Sequence, residues 1–489
     1  MENTKEINIL LVGLGPHAKR IYFPILQREG SDFNSRISLI VDLEEKKEDI
    51  EQYLSTTGEK IETIYLSPRQ KTYDNLCPEI RKILDQKIKD LKINAIFIAT
   101  EPLSHMVYAR YALSRGLNIL MDKPLSTKEN ISTDIKMAKK IIDDYKELVI
   151  LKNKMENKLG RKIVLNLMAQ RRFHPAFLKV KELVNEVYKS TNCPITSIQS
   201  FHSDGQWRMP EEIIDQDYHP YNQGYGKLSH SGYHSFDLVP WLLDMDGVYY
   251  DKISIFSQPI RPIDFFEQLE ISNYEKLFPD YCKFFNREVE NIHSAVKKYG
   301  EIDCFSNISF MHKNKTLTLA SINLVHNGFS QRGWITAKGR DLYKGNGRVR
   351  HESHYIEQGP FQAISFISYQ GKEVDPNNLE GIYDIGGEYH LDIHVFRNNI
   401  FNPIWKNYEK ISTKDLDINI MDGFSRGHQE DARRYCILDF IEQINNPDKD
   451  SKSSITNHEN SVLLMSGAYQ SMCKLFKGKN PLISIKIKK

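Results

Sequence analysis

A chain of 489 residues is too long for one ordinary hydrophobic core and points to two or three domains. Apolar residues at 40 % and charged residues at 27 % describe an ordinary globular protein, and a formal net charge of +2 argues against nucleic acid or an anionic membrane as a bulk partner. Six scattered cysteines (Cys77, Cys193, Cys282, Cys304, Cys436, Cys473) form no C-x-x-C pair, which reads as reduced thiols and not as a disulfide framework.

No apolar stretch is long enough to cross a bilayer. The apolar run at Ile7 is short, follows Glu2 and Glu6, and passes into a glycine turn, so it does not read as a secretory signal; the expected location is cytoplasmic. That run, Ile7–Val12, predicts a strand, and the residues after Pro16 predict a helix. Between them Gly13, Gly15 and Ala18 fill the G-x-G-x-x-G/A places of a dinucleotide-binding turn. Gly13 permits the tight turn, Gly15 lets backbone approach a pyrophosphate, and Ala18 lets the helix lie close to the strand. Pro16 suits a first helical turn but removes one N–H donor.

Residues 36–42 predict a second strand ending in Asp42, an acid placed to accept from ribose hydroxyls and to repel a 2′-phosphate. A carboxylate capping the next helix is the alternative. The lysine- and glutamate-rich stretch 44–92 predicts one helix at 76–91. A buried parallel strand at 94–100, a helix at 104–115 and a strand at 117–121 follow, the last ending in Asp122-Lys123-Pro124. Alternation of this kind predicts a doubly wound parallel sheet. A capped helix at 126–144 completes the expected first domain, placed at 1–150; a lysine-rich connector at 152–162 marks its end, and another buried strand is predicted at 163–168. The remainder, 151–489, is expected to form an α+β domain with a large open, mainly antiparallel sheet, whose closing helices at 427–476 return toward the first.

Arg171-Arg172-Phe173-His174-Pro175 leads into a helix at 176–189, then an alternating strand at 194–202. Residues 218–241 form a tyrosine-, histidine- and glycine-rich loop running into a helix that starts near Gly232, on which His234 and Asp237 share a face. Strands are predicted near 251–257, 303–311, 315–326, 333–338 and 361–369, with a helical insertion at 263–299. The elements of 340–420 are not placed by pattern. His351-Glu352-Ser353-His354 and the pair His390/His394 invite a metal reading, but both lie in β or loop sequence, so no metal is expected.

Gly13-Leu14-Gly15 with Ala18, the strand ending Asp122-Lys123-Pro124, and Gly232-Tyr233-His234 followed by Asp237-Leu238 and Trp241-Leu242 together resemble the glucose–fructose oxidoreductase / inositol dehydrogenase / MocA (Gfo/Idh/MocA) family. The resemblance runs through most of the chain, strongest over 7–245 and thin over 260–420. It implies an N-terminal Rossmann domain, a C-terminal open-sheet domain and a hydride transfer between NAD, with NADP less favoured, and a sugar, sugar phosphate, nucleotide sugar or polyol. The implied cofactor contacts are Gly13, Gly15, Pro16, His17, Ala18, Asp42, Thr100, His105, Asp122 and Lys123. Lys123 falls on the family's lysine in Glu-Lys-Pro, with Asp122 in the glutamate's place, and its bond to Pro124 is expected to be cis. His234 falls on the histidine of Asp-x-Gly-x-His, and His230 replaces that motif's aspartate.

The residue types suit the chemistry. A histidine with an ordinary pKa near ~6.5 can take a hydroxyl proton at neutral pH, and a lysine can hold the hydroxyl and steady charge developing on its oxygen. Lys123, His234 and His230 are therefore the implied catalytic group, and Arg171, Tyr221, Tyr225, His230, Tyr233 and His234 the implied substrate contacts. Two alternatives stay open: a glycosidase using transient oxidation on bound NAD, and a non-catalytic binder of nucleotide or sugar, which the loss of the motif aspartate favours. An open sheet with an uncovered face also predicts a homodimer or homotetramer.

Overall fold

Strand β1 (Ile7–Val12) has every residue buried, which a run apolar on both faces requires of a central parallel strand. The computed structural model describes residues 5–487 with the exception of 71, 73, 209, 217, 218, 269, 278–295, 331–347, 372–378, 417 and 419–427. Two compact units divide the chain: Met1–Thr127 with Ile141–Phe173 and Glu430–Glu459, and Lys128–Lys140 with His174–Gln429 and Asn460–Lys489.

The first unit is the expected doubly wound sheet. Besides β1 it contains β2 (Ser35–Leu43), β3 (Glu62–Leu66), β4 (Ala95–Ile98), β5 (Asn118–Met121) and β6 (Leu165–Leu167). They run in the order β3-β2-β1-β4-β5-β6, and every pairing is parallel. Helix α1 (Pro16–Arg20) ends at Ile21 and α2 (Tyr22–Glu29) starts at once, so the single expected helix is two. Within 44–92 the structure adds α3 (Lys47–Thr57) and β3, neither of which was predicted. Then come α4 (Pro78–Asp90) and α5 (His105–Ser114). Phe97 on β4 meets Tyr22 and Phe440 edge-on at 5.5 and 5.6 Å, tying helix Glu430–Asn445 into this core.

One expected helix is displaced. Helix α6 spans Ile135–Leu159, not 126–144. The backbone of the preceding segment bonds elsewhere: Asn130 N–H donates to Gln223 O at 2.9 Å and Ser132 N–H to Gly224 O at 3.1 Å. At the other end, Lys152 and Glu156 pair one turn apart at 2.7 Å and Glu156 also accepts from Ile163 N–H at 2.8 Å. Most of the expected connector is therefore helix.

In the second unit α7 (Pro175–Thr191) packs on a nine-stranded sheet, with Phe177 stacked on Phe366 at 4.6 Å. The strands are β7 (Ser197–Ser203), β8 (Lys252–Ile260), β9 (Asp303–His312), β10 (Lys315–Val325), β11 (Val349–Gln358), β12 (Gln362–Gly371), β13 (Asp392–Arg397), β14 (Tyr408–Ser412) and β15 (Ile483–Lys486). Their order is β14-β13-β12-β11-β7-β10-β9-β8-β15, and the central pair β7/β10 is parallel while the others are antiparallel. Strands β11, β13 and β14 come from the stretch that pattern alone left unplaced. The strand expected at 333–338 lies outside the described residues, as does much of the 263–299 insertion, of which Pro262–Phe266 and Ile271–Leu277 are helical.

Along β12 buried and half-exposed residues alternate without a break, so the sheet covers one face only. Register places Asn323 between Phe305 and Phe201, and Ala363 between Glu357 and Phe396, all on the uncovered face. Leu319 and Phe396 on that face are more than half exposed.

Candidate functional site

The first unit gathers the glycine turn, the tip of β2 and the end of β5. Gly13 holds φ +90°, and a Cβ there would lie 2.7 Å from Ala99 O, so only glycine fits between β1 and the end of β4. Gly15, by contrast, precedes α1 with nothing within 4 Å of where its Cβ would be. Asp42 reaches back to the turn: Oδ2 accepts from Leu14 N–H at 2.6 Å and Oδ1 from Leu43 N–H at 2.7 Å. Burial raises the Asp42 carboxyl pKa, and those two N–H donors pull it back down. The aspartate thus fixes the turn; it does not cap a helix.

Beyond β5 the Lys123–Pro124 peptide is cis. Half-buried Asp122 accepts from the Lys123 N–H at 3.3 Å and lies 3.8 Å from His17 Nε2, so the glycine-turn helix and the Asp122-Lys123 turn meet. Burial raises the Asp122 pKa, against Lys123, His105 and Arg433, which favour the carboxylate. His105 is fully enclosed, with Nδ1 2.8 Å from Pro124 O and Nε2 3.0 Å from Thr100 O. It is a brace between the end of β4 and the turn after β5, and burial lowers its pKa. Arg171 lies buried in the short turn Gln170–Phe173 of this unit, whereas the other expected substrate residues belong to the second unit.

In the second unit the loop 219–227 enters a π-helical turn, Leu228–Gly232, and then helix Tyr233–Leu243. Tyr218 lies outside the described residues. The expected loop is well packed: Tyr221, Tyr225, His230 and Tyr233 are all buried. His230 sits in a box of rings, with His219 stacked at 4.8 Å and Tyr221, Tyr225 and His326 edge-on at 5.3, 5.4 and 6.0 Å. His234 is 8 % exposed on the first turn of its helix, and Asp237 accepts from Ser461 Oγ at 2.8 Å.

Several polar residues here were not singled out by the sequence. Lys227 is fully buried and donates to Asp204 Oδ2 and, at 2.8 Å, to Ser231 Oγ. Arg348 donates to the Asp204 backbone oxygen at 2.6 Å and to Oδ1 at 3.0 Å. His326 Nδ1 and Tyr221 Oη share a hydrogen bond, and burial holds the His326 ring well below the ordinary pKa. Asp204, His326, Asp303 and Arg348 stand at the ends of four different strands, at one end of the sheet, where the parallel pair β7/β10 has its carboxyl ends. Ligands in sheets with parallel strands commonly sit at such ends. No single-sequence motif connects residues that far apart; only strand order brings them together. Among the described residues no group of histidines, cysteines and carboxylates has the arrangement of a metal site.

Residues 7–150 match the sequence profile of the oxidoreductase family with an NAD-binding Rossmann fold, Gfo/Idh/MocA. This N-terminal domain is therefore that of an NAD-binding oxidoreductase similar to the Gfo/Idh/MocA enzymes. No curated protein matches it by sequence. Solved structures with the same fold include an oxidoreductase from Agrobacterium radiobacter in complex with NAD+, L-tartaric acid and magnesium (12 % identity, TM-score 0.56, 99 % of this chain and 98 % of that one). Others are an aldose–aldose oxidoreductase from Caulobacter crescentus complexed with glycerol (11 %, 0.56, 99 % and 100 %) and a putative myo-inositol dehydrogenase from Sinorhizobium meliloti 1021 (12 %, 0.52, 99 % and 100 %). At such identity these likenesses establish the fold.

The matched family is NAD-binding, and the first unit of this chain fits that cofactor. The space beside Gly15 leaves room for a pyrophosphate, the N–H groups of His17 and Ala18 belong to a first helical turn, and Asp42 closes the far end with a carboxylate. Gly15, His17, Asp42, Thr100 and Lys123 are the residues that would hold it. No described helix is long and apolar enough to cross a membrane.

Proposed function

We propose that this chain transfers a hydride between NAD and a hydroxyl-bearing carbon of a sugar, sugar phosphate, nucleotide sugar or polyol. The observation that carries the reading is the meeting of the glycine turn with the Asp122-Lys123 turn through His17, inside a domain of an NAD-binding oxidoreductase family. NAD supplies the hydride acceptor when bound. The Lys123 ammonium donates to the substrate oxygen and stabilises negative charge as it grows there. The hydroxyl proton passes to a ring nitrogen of His234, which must be neutral to accept it. Tyr221 and Tyr225, being buried, shape the wall behind His230, while Arg171, Tyr233 and His234 are the candidates for substrate contact. Asp42 followed by Leu43-Glu44-Glu45 favours NAD over NADP, because a 2′-phosphate would stand among carboxylates.

The test is turnover of the purified protein with NAD and a panel of sugars, polyols, sugar phosphates and nucleotide sugars, after a thermal-shift screen of the same panel. Growth of the NADH absorbance band with one class supports the reading; binding without NADH formation across the panel contradicts it. A second reading, a ligand-binding protein without turnover, is favoured by one feature: His230 stands boxed among rings where the motif has a carboxylate. We also propose a second copy of this chain as the cover of the open sheet face that carries Leu319 and Phe396.

A further inference from the structure

The π-helical turn Leu228–Gly232 is the element from which helix Tyr233–Leu243, and with it His234, departs. Such turns are rare, are wider than an α-turn and are frequent at functional sites. This one is gripped by two buried carboxylates. On one side Glu301 accepts from Leu228 N–H at 2.8 Å, its backbone oxygen accepts from Lys227 N–H at 2.9 Å, and Gly226 comes so close that a Cβ would lie 1.8 Å from that oxygen. Glu301 is itself fixed by Ser132 Oγ at 2.5 Å and Tyr469 Oη at 3.3 Å. On the other side a single oxygen, Asp204 Oδ2, accepts from both Lys227 Nζ and Ser231 Oγ, the latter at 2.9 Å. Lys227 and Ser231 lie at the two ends of the turn and also bond each other, so the carboxylate closes a loop across it.

A fully buried lysine–carboxylate pair is an expensive way to hold a fold together. Apolar residues of similar volume commonly do as well or better, so such a pair is weak evidence for stability and better evidence for a fixed local geometry. Here the pair has no freedom to drift, because Arg348 clamps Asp204 through both its backbone oxygen and Oδ1, and His202 Nδ1 stands 3.2 Å from Lys227 Nζ. We propose that Asp204 and Lys227 are positioning residues: through Ser231 they hold the π-turn in the one geometry that presents His234 for proton transfer. The proposal rests on the reading of His234 as the acid/base.

The experiment uses the full chain and three variants: Asp204→Leu with Lys227→Met together, Ser231→Ala, and Ser231→Thr. Melting temperature, NADH affinity, kcat and KM, and the imidazole NMR signals of His234 in the substrate-free protein are measured for each. In the double variant, removal of both charges at once is expected to leave the melting temperature and NADH affinity close to wild type. Its kcat is expected to fall at least tenfold, with a smaller change in KM and a moved His234 signal. Ser231→Ala should lose several-fold in kcat, and Ser231→Thr, which keeps the hydroxyl, should recover most of it. A folded double variant with wild-type kcat and an unmoved His234 signal overturns the proposal. Should the double variant fail to fold, Ser231→Ala decides: unchanged kcat and an unmoved signal overturn it equally. If wild type reduces NAD with no compound, the hydride-transfer reading fails, while the His234 signal alone still decides whether the bridge positions that ring.

Discussion

At Asp303 burial and hydrogen bonding pull the carboxyl in opposite directions. Burial wins, pushing its pKa up to about 6 although His326 and Asn327 N–H groups and Lys227 favour the carboxylate. A carboxyl raised in the folded state binds its proton there more tightly than in the unfolded chain, so its contribution to stability is present at low pH and lost as pH rises from about 4 to 6. The size is on the order of 3 kcal/mol. Asp303→Asn keeps an acceptor for the His326 N–H without the charge. Its unfolding free energy relative to wild type should therefore climb between pH 4 and pH 6.5 and then level off; a flat difference in urea titrations across that range would contradict this. At Asp42, NADH is expected to bind more tightly than NADPH, and Asp42→Ala to narrow the gap in fluorescence titration. The variant should weaken both somewhat, since the Leu14 N–H loses its acceptor. Equal affinities for wild type would refute the ribose assignment.

Gly13 carries the argument at the level of elements. Gly13→Ala forces a Cβ against Ala99 O at a φ that L-residues avoid, at a cost of about 1–3 kcal/mol. The expected outcome is a lower melting temperature with much weaker NADH binding, read by thermal shift and titration; wild-type binding would mean that the turn does not hold the dinucleotide. This turn was legible because its signal is local: an apolar run, two glycines and a helix in immediate succession. The same holds for β4, α5, β5 and helix Glu430–Asn445. Strand β3 was not legible, since it is a partly exposed edge strand whose Glu62 and Thr63 dilute its pattern. Helix α6 was read about two and a half turns early because Ser126 looks like a cap; the backbone of 130 and 132 bonds to the loop at 223–224, which no local pattern reveals. In the second unit His234 was legible through its motif, but Asp204, Lys227, His326 and Arg348 were not. They are brought together by the pairing of β7 with β10 and β11, contacts more than a hundred residues apart in sequence.

For the whole molecule two expectations follow. The uncovered face of the nine-stranded sheet carries Leu319 and Phe396 at 57 % and 52 % exposure, apolar side chains that a partner surface would remove from water. If a second copy covers it, Leu319→Asp with Phe396→Asp should lower the light-scattering mass to one chain without unfolding the protein. A wild-type mass of one chain would contradict the pairing. The central claim is that Lys123 and His234 carry out hydride and proton transfer with NAD. The most direct measurement is NADH accumulation by wild type, Lys123→Met and His234→Ala on a compound from the panel, with NADH binding measured alongside. The account predicts steady accumulation for wild type and roughly 10²–10⁴-fold slower accumulation for His234→Ala, with a similar loss for Lys123→Met, while both variants still bind NADH. Near-normal accumulation by His234→Ala would contradict it.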